Sequence, residues 1–174
     1  MDVLTCMQRR RSVRQYTGEP IPDDKLKQVL QAALLSPSSR GKQPWEFIVV
    51  RDRNTLFRLS ECRIGSAKML AEADAAIVVI ADAEKTDVWV EDCSIAMANM
   101  HLMADSLGLG SCWIQGRLRE ASDGRTTEAY VRTLLHFPES YKLAAILSLG
   151  IPQQHPEAHS LENLPLDKIH QDDY

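Results

Sequence analysis

Two periods of apolar residues alternate along this chain and divide it into helices and strands. Val3, Leu4 and Met7 recur at helical spacing, predicting a short helix that runs into an arginine cluster, after which residues 12–16 read as extended. Pro22, Asp23 and Asp24 form a helix start signal; Leu26, Val29, Leu30, Ala33 and Leu34 follow at helical intervals as far as Ser36 and Pro37. Residues 36–44 are rich in turn formers and lead into the apolar, β-branched run Trp45–Val50, which predicts a loop feeding a buried strand. Short helices are expected over residues 54–60 and 66–71, and the continuous apolar run 75–81 suits a central strand covered on both faces. Residues 90–107 predict a helix apolar over much of its circumference, and so an interior one, stopped by Gly108 and Gly110. A strand over 111–114, a helix over 126–135 and a last core strand over 143–149 complete the interleaving, which implies an α/β or α+β sheet with helical cover. The tail from Gln153 to Tyr174 holds few large apolar residues; Leu161, Leu164, Leu166 and Ile169 would be its contacts if it packed as an arm on a partner subunit.

Composition narrows the classes. A chain of 174 residues with 44% hydrophobic and 25% charged content suits one compact domain, residues 1–174. The formal charge of -4 gives no general basic field, which argues against a nucleic-acid partner. No apolar run reaches the roughly 18–20 residues of a membrane span and no signal-peptide pattern opens the chain, so a cytoplasmic protein without a membrane partner is expected. Cys6, Cys62, Cys93 and Cys112 lie far apart, as do the histidines, with no zinc spacing; they read as reduced, mostly buried thiols, and no metal site is expected. Glu46, Glu91 and Asp92 are the acids in suggestive positions, with surface or helix-capping roles expected.

Three segments carry candidate chemistry. Arg10, Arg11, Ser12 and Arg14 offer guanidinium forks and a hydroxyl at a helix end, suited to a phosphate or an electron-rich heterocycle; alone, such a cluster is more often a solvated basic turn. Pro37, Ser38, Ser39, Gly41, Lys42 and Gln43 present hydroxyls, amides and a flexible backbone to the edge of a ring, or simply connect a helix to a strand. In the stretch 108–116, Gly110 and Gly116 let backbone approach a flat ligand, or Gly108 and Gly110 serve as cap and turn.

In this order, with Gln43-Pro44-Trp45, the 92–103 helix and Leu149-Gly150, the segments resemble the nitroreductase family over almost the whole chain. The resemblance implies an α+β flavin fold with a central mixed or antiparallel sheet flanked by helices. It also implies a homodimer holding FMN at its interface, with NADH or NADPH as electron donor. Hydride would pass by way of flavin N5 to a small-molecule acceptor, a nitroaromatic, quinone or similar electron-poor ring, in ping-pong fashion. Carried over, Arg10, Arg11 and Ser12 meet the FMN phosphate and ribityl chain. Arg14 stabilises charge on the pyrimidine side, so that catalysis is flavin-borne and needs no protein nucleophile. Pro37, Ser38 and Ser39 contact the flavin from the other subunit, Gly41 and Gln43 belong to the same cofactor-binding set, and Trp113, Ile114, Gln115 and Gly116 line the ring face or its N5 edge. The chain departs from the family at Gly41, where many relatives carry Asn and backbone, water or Lys42 must replace that contact, and at Asn163, near which a basic residue commonly reaches the phosphate; either the phosphate is held more weakly here, or His159 or Arg9 substitutes. Alternatives on the same scaffold are a specialised flavin reaction, such as dehalogenation or ring dehydrogenation, and a non-catalytic FMN sensor or store.

Overall fold

The computed structural model describes residues 2–174. Helix α1 (Val3–Arg9) is capped by the Asp2 carboxylate, which accepts from the Thr5 N–H at 3.0 Å. Helix α2 (Asp23–Leu34) opens with Asp23 and Asp24 at its positive end and buries Leu26, Val29 and Ala33. Four strands follow: β1 (Trp45–Val50), β2 (Ala75–Asp82), β3 (Gly110–Gln115) and β4 (Tyr141–Gly150). Helix α3 (Arg53–Leu59) lies between β1 and β2, α4 (Trp89–Ser106) between β2 and β3, and α5 (Thr127–Leu135) between β3 and β4.

The sheet runs in the order β1-β2-β4-β3 and every neighbouring pair is antiparallel, which resolves the α/β or α+β alternative as α+β. Strand β2 is the central strand its apolar run predicts. Ile77 and Val79 face α2 and α4 in one core with Leu26, Val29, Met97 and Met100. Val78 and Ile80 face the other way, with Leu56, Leu59, Val131 and Ile146. Both faces of β2 and β4 are thus covered, and an unbroken apolar run is what such a strand requires.

Strand β1 departs from expectation: it is an edge strand, with Glu46 and Val49 exposed and only Trp45 and Val50 buried. A short apolar run cannot distinguish edge from centre, because that depends on partners distant in sequence. The helix expected over 66–71 is a single 3-10 turn, Lys68–Ala71. The tail holds two such turns, Leu161–Asn163 and Leu166–Lys168, and leaves Leu161, Leu164, Leu166 and Ile169 exposed. Among the described residues no helix is long and apolar enough to cross a membrane, and no cluster of His, Cys, Asp and Glu could hold a metal. All four cysteines are free and buried, and burial pushes the thiols of Cys62 and Cys93 up to about 12, far from the reactive range.

Candidate functional site

At the end of α1 the chain turns extended and docks beside β3. Ser12 forms a parallel bridge with Ser111, and the Val13 N–H donates to the Ser111 carbonyl at 2.9 Å. Tyr16 is buried; its hydroxyl donates to the Val13 carbonyl at 3.0 Å and lies 2.7 Å from Ser148 Oγ. The tail closes the other side, the Gln153 N–H donating to the Gln15 carbonyl at 3.1 Å. Fixed at these points, the strip leaves Arg10 and Arg11 half-buried and Arg14 exposed. Arg11 donates to the Glu157 carbonyl, but among the described residues no carboxylate forms an ion pair with Arg10, Arg11 or Arg14. Ser12, Val13, Arg14 and Gln15, with Gln154 and Pro156 from the tail, line a cleft of about 440 Å³.

Behind the strip, His101 is buried with Nδ1 2.8 Å from Ser111 Oγ. Burial, and then the Arg10 cation, push it down to about 4, so it is neutral at pH 7 and adds no charge to the cluster. Neither Arg9 nor His159 is among the residues that line this cleft. Arg9 Nε lies 4.0 Å from the buried carboxylate of Asp105, which His155 Nε2 approaches at 2.7 Å. The exposed His159 is held through its backbone N–H to the Gln8 carbonyl, and Asn163 is exposed.

Strand β3 is the other edge of the sheet, and its parity decides which backbone groups are open. The Gly116 N–H turns inward to the Ala144 carbonyl, whereas the Ser111 carbonyl turns outward to Val13. Ser111, Trp113 and Gln115 therefore point their amides away from β4, and no loop or turn partner meets those of Trp113 and Gln115 among the described residues. Gln115 is itself braced: its Oε1 accepts from Trp113 Nε1 at 3.0 Å and its Nε2 donates to the Arg117 carbonyl at 3.3 Å. Ile114 points into the core beneath. The glycines are explained by this chain's own packing. A Cβ on Gly110 would stand 2.7 Å from Val13 Cγ1, and one on Gly116 2.6 Å from Leu143 Cδ2. Gly108, at φ +74°, is the left-handed residue that ends α4. The reading of Gly108 as a cap holds, and at Gly110 and Gly116 the freed space is filled by protein.

The third segment is a strained loop. Arg40, Gly41 and Gln43 all have positive φ, of 52°, 66° and 45°, a conformation that costs a non-glycine residue about 1 kcal/mol or more. It is held from both ends: Asn99 Nδ2 donates to Ser36 Oγ at 2.8 Å, the Gln43 N–H to Ser38 Oγ at 2.9 Å, and the Ser39 N–H to Asp92 Oδ1 at 2.8 Å. The left-handed turn explains a glycine at 41 without a ligand. Asp92 is neither on the surface nor a cap of its own helix; it is buried in the first turn of α4, where its Oδ1 fixes this loop. Glu91 is exposed, and exposed Glu46 accepts from the Tyr141 hydroxyl at 2.6 Å. Sequence pattern missed the positions of Asp92 and His101, since polar residues on an interior helix carry no mark of what they face.

The structure thus docks the Arg10–Gln15 strip, through Ser12 and Val13, on Ser111 of the strand that carries Trp113–Gly116, while among the described residues no hydrogen bond joins the Pro37–Gln43 loop to either. Beside that loop lies an uncovered apolar face: Val3, Leu4 and Met7 of α1 and Leu35 are more than half exposed, and a groove of about 380 Å³ lined by Val3, Cys6, Leu35, Leu102 and Met103 runs between α1, α2 and α4.

Comparison with known proteins fits this geometry. An FMN-dependent nitroreductase from Clostridium difficile R20291 superimposes with a TM-score of 0.95 at 42% identity, over 98% of this chain and 99% of that one. A protein of Archaeoglobus fulgidus provisionally named NADH dehydrogenase/NAD(P)H nitroreductase is 38% identical over 98% of both chains. An NADPH-flavin oxidoreductase of Vibrio harveyi is 29% identical over 84% of this chain and 64% of its own. The sequence profile of the nitroreductase family matches residues 7–64 and 57–151. With that match covering the arginine strip, the Pro37–Gln43 loop and strand β3, the chain belongs to the nitroreductase family.

Proposed function

We propose that this protein is a homodimeric FMN-dependent oxidoreductase that takes electrons from NADH or NADPH and delivers them to nitroaromatics, quinones or similar electron-poor rings. The observation that carries the reading is the Arg10–Arg14 strip, fixed beside an open sheet edge with the guanidiniums of Arg10, Arg11 and Arg14 paired with no carboxylate among the described residues. Such a cluster is costly to leave facing itself, and it suits a phosphate joined to a flat ring system. When bound, FMN supplies hydride transfer between a nicotinamide and the acceptor.

The residues divide the work. Arg10, Arg11 and Ser12 hold the phosphate and the polyol chain beside it. Arg14 gives a fixed cation to the negative charge that collects on the pyrimidine side on reduction. The open amides of Trp113 and Gln115 are donors for the polar edge of the ring, Ile114 and Gly116 line it as the intervening backbone, and the brace from Gln115 keeps the stretch still. Pro37, Ser38, Ser39, Gly41 and Gln43 approach the same ring from the second subunit, across the apolar face of α1, α2 and α4, and residues 153–174 pack as an arm on that partner. The whole chain, 1–174, acts as one domain. Because a single open face serves donor and acceptor in turn, steady-state rates with NADPH or NADH and a quinone such as menadione should follow ping-pong kinetics, with parallel reciprocal plots. Tightly held FMN without oxidation of either nicotinamide would instead favour a flavin store.

A further inference from the structure

Past Gly116 the chain makes a turn that the flavin reading leaves unexplained. Leu118 sits in the left-handed region at φ 57° and is 76% exposed, an arrangement strained in backbone and unfavourable in solvation. It holds Arg117 and Arg119 on either side of itself, at the mouth of a cleft of about 260 Å³ whose walls include Gly116 and Trp89. The Arg117 guanidinium stands 5.9 Å from the centre of the Trp89 ring, within the reach of a cation–π contact. Neither arginine has an ion-pair partner among the described residues. The one carboxylate in the lining, Glu128, is already engaged: Oε1 accepts from Arg132 at 3.0 Å and lies 3.8 Å from Lys142 Nζ, and Oε2 accepts from the Leu143 N–H at 2.9 Å. Arg119 Nη1 donates to the Leu118 carbonyl at 2.8 Å, so the cleft combines an aromatic wall, two guanidiniums whose charge no carboxylate pairs among the described residues, and direct continuity with the backbone stretch that ends at Gly116.

We propose that this cleft is an anion subsite. It receives the oxyanion of a flat reaction partner, a carboxylate or phosphate held by Arg117 and Arg119 while the rest of the molecule reaches along Trp89 toward Gly116. The proposal rests on the flavin reading and names a substrate class within it: electron-poor rings with an anionic substituent are preferred over neutral ones. The same chemistry has two sources, an acceptor's carboxylate or the extra phosphate of NADPH.

The test uses full-length protein carrying FMN and the double variant Arg117→Ala/Arg119→Ala. With 4-nitrobenzoate and nitrobenzene as acceptors, the ratio of their kcat/KM values should fall about tenfold in the variant, the size of a lost charge-assisted contact. If the phosphate of the donor is the anion, the fall appears in the NADPH-to-NADH ratio instead. A titration independent of turnover accompanies this: 4-nitrobenzoate should quench tryptophan fluorescence in the parent, less so in Trp89→Phe, and bind about tenfold more weakly to the double variant. Both ratios and the titration unchanged would overturn the subsite. A parent that takes up no FMN would overturn the flavin reading instead, and the fluorescence titration would still decide whether the cleft takes an anion.

Discussion

Arg14 differs from the other two arginines in being exposed at the cleft, whereas Arg10 and Arg11 are half-buried and Arg11 donates to the Glu157 carbonyl of the tail. If its cation stabilises reduced flavin, Arg14→Ala should retain the fold but lower the flavin potential by about 30 mV for each ~1.4 kcal/mol of stabilisation lost in the two-electron form. Arg14→Lys should restore part of the shift, and a potential unmoved in the alanine variant would remove the role. His101 makes a prediction about stability. Its folded value of about 4 lies below the ordinary 6.5, so below that ordinary value the unfolded chain binds a proton that the folded chain refuses. Its contribution is intact above about 6.5 and is lost as pH falls toward about 4; the loss is of the order of 3 kcal/mol. Urea unfolding of the parent and of His101→Gln across that window should show a steeper decline in the parent. Equal slopes would mean that His101 is hydrated or charged in the folded protein.

Among the elements, the close approach of the arginine strip to β3 depends on glycines. Gly110 lies against Val13 and Gly150 against Tyr16, where a Cβ would come within 2.7 Å and 2.5 Å of side-chain carbons. Gly110→Ala should cost about 1–3 kcal/mol by overpacking, and because Val13 lies inside the arginine strip it should weaken FMN binding as well. A stability loss with FMN affinity unchanged would show that the strip tolerates displacement. This coupling explains what was legible in the sequence and what was not. Periodicity marked α1, α2, α4 and α5 and the buried run of β2, since each signal lies within one element. The edge position of β1, the inward turn of Asp92 and the side-by-side placement of Ser12 and Ser111 depend on contacts between distant residues, which no local pattern encodes. The three candidate segments were visible as an ordered set. That Gly110 serves Val13 became visible only once the two elements were packed together.

For the whole molecule, the uncovered face of α1, α2 and α4 is the strongest indication of a second subunit. Leu35 is 83% exposed and Met7 52% beside a groove lined by further apolar side chains, and a contiguous exposed apolar patch of that kind marks an interaction surface. Met7→Asp/Leu35→Asp should convert the protein to a monomer in sedimentation experiments and release FMN together with the partner, because the Pro37–Gln43 loop would no longer reach the shared ring. A monomer that kept its flavin would break the interface account. The central claim, that this fold carries a flavin through which electrons pass, is tested most directly by the visible absorption of the purified protein before and after anaerobic NADH or NADPH. An oxidised-flavin spectrum that bleaches on adding a nicotinamide is the predicted result. A protein that stays colourless after incubation with FMN, or a flavin spectrum unchanged by either donor, would contradict it.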